Sequence, residues 1–138
     1  MVIKKPVAHE FIEMKLNITP DCGNSPKKKL VKNLTIYFAT YDLDNAMEFM
    51  EDTIQWNLVG DIPIEGKQGF REALEQMKHN KVAELTIDRI ITHGKEAAVN
   101  GDMLMENGSV FGFSDFYDFS SAKGTKVKKI VSYVIEKK

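Results

Sequence analysis

The chain has 138 residues, of which 43% are hydrophobic and 28% are charged, and its formal net charge is −1. This composition is typical of one globular domain that is large enough to bury a core. The small net charge and the lack of a long apolar run predict neither a nucleic-acid partner nor a membrane. The single cysteine, Cys22, excludes an internal disulfide, and we expect a cytoplasmic location because the N-terminus lacks the pattern of a signal peptide.

Helix signals begin after an N-terminal segment that is hard to interpret. Residues 1–24 are predicted to form an arm of uncertain order, because proline and glycine interrupt them, and residues 25–138 are predicted to form a single domain. Ser25 and Pro26 fit the N-cap and first position of a helix that ends near Thr40. Its apolar residues follow helical spacing: Leu30, Val31, Leu34, Tyr37, Phe38 and Tyr41.

After the first helix, the chain is predicted to form a short helix, a strand and another helix, followed by four strands. A short helix capped by Asp42 or Asp44 is expected next, then a strand over Thr53–Val59 and a third helix after Gly66. Asn107 and Gly108 give a strong hairpin signal, because both central positions of a type I′ turn need positive φ. The later strands are predicted at Val82–His93, Glu96–Glu106, Ser109–Phe119 and Val127–Glu136. The expected order is α-α-β-α-β-β-β-β.

Four short stretches carry a resemblance to a known superfamily: Asp42–Asp44, Phe49–Asp52, Gly66 and Gly112–Phe116. Over roughly residues 26–136 the chain resembles the SnoaL-like and ketosteroid isomerase-like superfamily, which shares the nuclear transport factor two-like fold. The resemblance implies an α+β, cystatin-like architecture: a cone-shaped barrel in which a curved antiparallel sheet wraps around three N-terminal helices. It also implies a homodimer formed through the outer face of the sheet.

The resemblance can be tested at the three catalytic positions of the isomerase branch. The position of its carboxylate base falls on Asn57, and an amide cannot abstract a proton. The position of its helix tyrosine falls on Leu34, one turn before Tyr37. Its late-strand aspartate is present as Asp115, which the resemblance makes a general acid or enolate stabiliser. Because one of three positions matches, the sequence leaves steroid isomerase chemistry itself in doubt.

The residues around Asp115 give an independent reason to examine it. By the two-residue period of a strand, it shares a face with four aromatic side chains, those of Phe111, Phe113, Tyr117 and Phe119. If Asp115 is buried, desolvation raises its pKa and keeps the carboxyl neutral, as a proton donor. The alternative is that Asp115 pairs with a lysine or caps a loop at the mouth of the barrel.

An apolar internal pocket is predicted around this aspartate, and core packing is the alternative for each of its residues. Trp56 and Asn57 cannot both face inward without a bulge, because they are consecutive in one strand. His9, His79 and His93 lack the spacing of metal ligands, so we expect neither a metal nor another cofactor. The predicted lining residues are Tyr37, Trp56, Asn57, Gly101, Met103, Phe113 and Tyr117.

Two functions follow from these residues. The first is binding of a small apolar molecule in the pocket, with isomerase, cyclase or dehydratase-type chemistry on an apolar carbonyl compound through Asp115. The second is a non-catalytic dimeric module that associates with a ligand or another protein. A raised pKa at Asp115 favours the first, whereas a filled pocket and an extensive apolar outer face favour the second.

Overall fold

The computed structural model describes residues 2–7 and 10–138, with side chains described from Met14 onward. His9 therefore lies outside the described residues. Within them, no helix is long and apolar enough to cross a membrane. The elements, in chain order, are β1 (Val2–Val7), β2 (Glu10–Ile18), α1 (Pro26–Ala39), α2 (Leu43–Met47), β3 (Met50–Leu58), β4 (Ile64–Glu65), α3 (Lys67–Gln76), β5 (Val82–His93), β6 (Glu96–Met105), β7 (Val110–Phe119) and β8 (Val127–Lys137).

One mixed sheet contains all eight described strands, in the order β1-β2-β5-β6-β7-β8-β3-β4. The predicted α+β class is confirmed, but the prediction of an antiparallel sheet is wrong, because β2 pairs with β5 and β3 pairs with β8 in parallel. The sheet is open, with β1 and β4 at its edges, so a closed cone-shaped barrel is not confirmed. The three helices do not all precede the sheet, since α3 lies between β4 and β5.

The segment predicted as an arm of uncertain order contributes two strands. β2 pairs with β5 from Lys15↔Glu84 to Ile18↔Ile87, and β1 pairs with β2. Met14 and Leu16 are almost completely buried, and they belong to the same core as the later strands. Their alternation with Lys15 is a strand signal. A single strand is stable only when it pairs with another, and here the partner lies 69 positions away, in the pair Leu16↔Leu85. The predicted domain boundary at residue 24 stays a prediction.

Helices α1 and α3 cover one face of the sheet, which we call the inner face. The Ser25 hydroxyl accepts a hydrogen bond from the Lys28 backbone N–H, and Pro26 occupies the first turn, so the predicted start of α1 is confirmed. α1 packs against β5 and β6, and α3 packs against β3 and β4. The predicted hairpin between β6 and β7 is also present, with Gly108 at φ 92°, but the predicted type I′ turn is wrong, because Asn107 does not have positive φ.

Strand register places the residues of the inner face. Asp115 on β7 is opposite Val99 of β6 and Ser132 of β8, and Tyr117 is opposite Ala97 and Ile130. Because side chains alternate along a strand, Asp115 and Tyr117 share one face of β7. The face predicted to carry Asp115 among aromatic residues is therefore the one directed towards the helices.

Gly101 of β6 is needed for close packing between strands. A Cβ atom at this position would lie 1.8 Å from the Thr86 backbone oxygen. The register of β5 and β6 shifts between Ile87 and Arg89, which marks a bulge beside Gly101. The structure therefore agrees with the alternative predicted for Gly101, which is core packing at a strand bulge.

Candidate functional site

A cavity of about 560 Å³ lies between the helices and the inner face of the sheet. This volume is within the usual range of sites for drug-sized ligands, which is roughly 300–1,000 Å³. Most of its lining is apolar, and the principal contributors are Phe38, Trp56, Phe70, Leu85, Met103 and Phe113.

Three aromatic rings form one wall of the cavity. The ring centroids of Trp56 and Phe70 are 5.0 Å apart, and those of Phe38 and Phe70 are 5.7 Å apart, both with tilted rings. Aromatic pairs at these separations are favourable contacts. They join α1, α3 and β3, so this wall is stabilised by the tertiary structure rather than by one element.

Five of the residues predicted at the site lie around the cavity: Trp56, Met103, Phe113, Asp115 and Tyr117. The other three, Tyr37, Asn57 and Gly101, do not line it, and these positions require correction.

The reasons for two of these corrections are geometric. Trp56 and Leu58 line the cavity from β3, so Asn57 between them is directed away from it. On α1, the cavity face is formed by Thr35, Phe38 and Ala39. Tyr37 is about 200° around the helix from Thr35, since each residue turns the helix by about 100°. Gly101 does not line the cavity because its Cα lies against the Thr86 carbonyl of the neighbouring strand.

Ser132 lies between the aromatic wall and Asp115. The Trp56 indole Nε1 donates to Ser132 Oγ at 3.0 Å, and this contact is buried. Ser132 is opposite Asp115 in the β7–β8 ladder, and its hydroxyl opposes the rise in the pKa of this carboxyl. Ser132 is missed by the sequence reasoning, although a lone serine between Ile130 and Val134 on the inner face of β8 is a usable signal.

Burial raises the pKa of Asp115 from 3.8 to about 6, and the hydrogen bond from Ser132 limits this rise. The side chain is partly accessible because it borders the cavity. The expectation of a neutral carboxyl therefore applies below about pH 6, whereas above this pH the carboxylate predominates. Among the described residues Asp115 makes no ion pair, so a pairing with lysine is not observed.

Tyr117 places a phenol hydroxyl beside this carboxyl. Its oxygen is buried and has no hydrogen-bond partner with regular geometry among the described residues. The Thr35 hydroxyl is nearby; it donates its own hydrogen to the Val31 carbonyl at 2.8 Å, and its oxygen keeps the capacity to accept. Burial, and then the charge of Asp115, raise the pKa of Tyr117 well above 10.0, so the phenol keeps its proton. The Tyr117 hydroxyl is thus a buried donor without an acceptor of regular geometry among the described residues.

Polar residues surround the cavity where the ends of α1 and α3 approach the β6–β7 turn. The Tyr41 hydroxyl donates to the Asn80 backbone oxygen at 2.9 Å and connects the two helices there. Asn107, Ser109 and Glu136 lie on the sheet side of the same region. His79 also lines the cavity, but no group of three or more His, Cys, Asp or Glu in the described part of the chain is arranged to hold a metal ion.

The open curved sheet, the helices on one face and the cavity between them define the nuclear transport factor two-like fold. A nuclear transport factor two-like protein of unknown function from Cytophaga hutchinsonii is 21% identical, with a TM-score of 0.62 over 78% of this chain and 97% of that one.

Two further solved structures are similar at lower identity. A proposed SnoaL-like polyketide cyclase from Shewanella denitrificans is 10% identical, with a TM-score of 0.67 over 80% and 92% of the two chains. A proposed ketosteroid isomerase from Kribbella flavida is 12% identical, with a TM-score of 0.65 over 80% and 78%. These structures confirm the predicted fold resemblance. No protein-family model and no curated protein sequence matches the chain.

Proposed function

We propose that the chain is a cytoplasmic SnoaL-like protein that binds a small apolar carbonyl compound in its cavity and acts on it by isomerase, cyclase or dehydratase-type chemistry. The observation that carries this proposal is Asp115, a carboxyl held inside an apolar cavity of about 560 Å³. A buried carboxyl without an ion pair is unfavourable for the empty protein, which supports a role in binding or catalysis. The proposed activities of two fold relatives, polyketide cyclase and ketosteroid isomerase, support the choice of a carbonyl substrate.

The acidity of Asp115 suits proton transfer. General acids and bases work best when their pKa is near the operating pH, and a pKa of about 6 meets this condition at neutral pH. The protonated carboxyl can donate a hydrogen bond to a carbonyl oxygen, and the carboxylate can accept a proton. The apolar lining of the cavity strengthens both interactions.

A ligand screen tests the pocket. Apolar ketones should raise the melting temperature, because a ligand that binds only the folded state stabilises it by mass action. Trp56, the only tryptophan in the sequence, lines the cavity, so its fluorescence should change with the same ligands. Asp115→Asn should weaken these responses, whereas Asp118→Asn, on the opposite face of the same strand, should not. If no ketone affects the wild-type protein, the pocket proposal is wrong.

We also propose that the chain is a homodimer formed through the outer face of the sheet, opposite the helices. Three apolar side chains of β7 and β8 are exposed on that face: Phe116, Tyr133 and Ile135, with exposed fractions of 51%, 44% and 69%. Phe116 and Tyr133 make an edge-to-face contact at 6.0 Å, which gives the patch a defined surface. Apolar surface of this kind is common at subunit contacts.

Light scattering after size-exclusion chromatography tests the dimer. Phe116→Lys and Ile135→Lys should produce a monomer. Ile62→Lys is the matched control, because Ile62 is 87% exposed and lies in the loop before β4, outside β7 and β8. A monomeric wild-type protein would contradict this proposal. A dimer without any ligand response would instead favour the alternative, a non-catalytic association module.

A further inference from the structure

We propose that the cavity also binds apolar amines, with the ammonium group of the ligand against the Asp115 carboxylate and its hydrocarbon rings against the aromatic wall at Trp56 and Phe70. This proposal rests on one part of the proposed function, namely that the cavity is a ligand site. It depends neither on a carbonyl ligand nor on turnover, because an organic cation belongs to a different chemical class from an apolar ketone.

No cationic side chain in the described part of the chain neutralises Asp115. This residue makes no ion pair there, and the one lysine among the described lining residues is Lys81. Lys81 precedes Val82, which pairs with Met105 of β6. Asp115 pairs with Val99, six positions away on β6. At about 3.3 Å per residue, this register separates Lys81 from Asp115 by roughly 20 Å along the sheet, which is beyond the reach of a lysine side chain.

A cation is the ligand group that complements this carboxyl at neutral pH. Above about pH 6 the carboxylate predominates, and a carboxylate can only accept hydrogen bonds. The oxygen of a ketone is also only an acceptor, so it does not pair with the ionised group. A primary ammonium group brings three N–H donors and a positive charge, and an apolar lining strengthens its attraction to the carboxylate.

The aromatic wall lies at a suitable distance for the rest of the ligand. Trp56 of β3 pairs with Ile130 of β8. Asp115 of β7 pairs with Ser132 of the same strand. Since neighbouring strands are about 4.8 Å apart, β3 and β7 are about 10 Å apart at this level. Two fused rings that extend from Asp115 towards Trp56 and Phe70 span this distance, and the ring faces of the wall also attract a cation.

The other titratable side chains of the lining are compatible with a cation. They are Tyr41, His79, Lys81, Glu106, Tyr117 and Glu136. Burial raises the pKa of both tyrosines above 10.0, so these phenols are neutral at pH 7. Together with Asp115, the described lining has three carboxyl groups and one lysine, and its net charge is therefore negative when His79 is neutral. A cleft of negative charge concentrates cations.

Isothermal titration calorimetry with ligands of one bicyclic skeleton tests this proposal. The ligands are 2-aminotetralin, 2-tetralol and 2-tetralone, in about 0.15 M NaCl to screen surface charges. At pH 8 the amine is a cation, because alkyl amines titrate near 10 as lysine does, and it should bind at least about tenfold more tightly than the alcohol. Its affinity should rise about tenfold from pH 5 to pH 8, since the ionised fraction of a carboxyl with a pKa of about 6 rises by that factor.

Two aspartate variants locate the ammonium group. Asp115→Asn should weaken binding of the amine by about 10–100-fold and abolish its pH dependence, because asparagine carries no charge. Asp118→Asn, on the opposite face of the same strand, should bind the amine as the wild type does. Retention of the pH dependence in Asp115→Asn would assign that dependence to His79 and overturn the proposal.

The three ligands separate this proposal from the proposed function. An amine that binds no more tightly than the alcohol at pH 8 would overturn it. So would amine binding that Glu136→Gln abolishes and Asp115→Asn retains, because the ammonium group would then lie at the polar end of the cavity. If the ketone binds and the amine does not, this proposal fails and the proposed function stands. If the amine binds and the ketone does not, this proposal stands and the carbonyl ligand is wrong. If none of the three binds, both fail.

Discussion

Replacing Asp115 by asparagine should stabilise the empty protein at neutral and alkaline pH. The folded pKa is about 6, compared with an ordinary value of 3.8, so the ionised carboxyl is less favourable in the cavity than in the unfolded chain. Each pKa unit corresponds to about 1.4 kcal/mol, so the rise of about 2 units amounts to about 3 kcal/mol. Asparagine has nearly the same shape and carries no charge to desolvate.

The sign follows from linkage between protonation and folding. Because the pKa is raised in the folded state, the contribution of Asp115 to stability is fully present below 3.8 and is lost as the pH rises through about 6. The difference between the variant and the wild type should therefore be small at pH 4. It should grow to about 3 kcal/mol in favour of Asp115→Asn at pH 8.

Urea unfolding at a series of pH values measures this difference, with the wild type and the variant compared at each pH so that the other carboxyl groups cancel. Asp118→Asn, on the outer face of β7, should show no such growth. A difference between Asp115→Asn and the wild type that is the same at pH 4 and pH 8 would refute the desolvation argument. So would a variant that is less stable than the wild type at pH 8.

Three other substitutions test the site and its support, and a fourth, Gly69→Ala, is the control for Gly101→Ala. Tyr117→Phe should raise the free energy of unfolding of the empty protein by about 1 kcal/mol, since it removes an unpaired buried hydroxyl. A variant that urea unfolding shows to be no more stable than the wild type would contradict this prediction. Ser132→Ala should lower the free energy of unfolding by about 1–3 kcal/mol, because the Trp56 indole N–H loses its acceptor. The same substitution should raise the pKa of Asp115, as followed by NMR of the carboxyl group. Gly101→Ala should cost about 1–3 kcal/mol through overpacking against the Thr86 backbone oxygen. Gly69→Ala in α3, where a Cβ atom would be in van der Waals contact with the Ile64 side chain at 3.4 Å, should instead gain about 0.5–1 kcal/mol in the same assay.

The sequence by itself determined the features that depend on near neighbours in the chain. The cap at Ser25 and the turn at Gly108 require only local backbone and side-chain chemistry. The alternation along Val110–Phe119 placed Asp115 and Tyr117 on one face, because the strand period is fixed by covalent geometry. For this reason the candidate aspartate and most of its aromatic surroundings were predictable.

Only the tertiary structure decided what faces the aspartate. Ser132 lies opposite Asp115 because of the register between β7 and β8, and Trp56 reaches Ser132 because β3 pairs in parallel with β8. These pairings join residues 17 and 76 positions apart, for which a strand pattern specifies a face but not a partner. The acidity of Asp115 and the unpaired Tyr117 hydroxyl both result from burial beneath α1 and α3, so their chemistry is a property of the packed molecule.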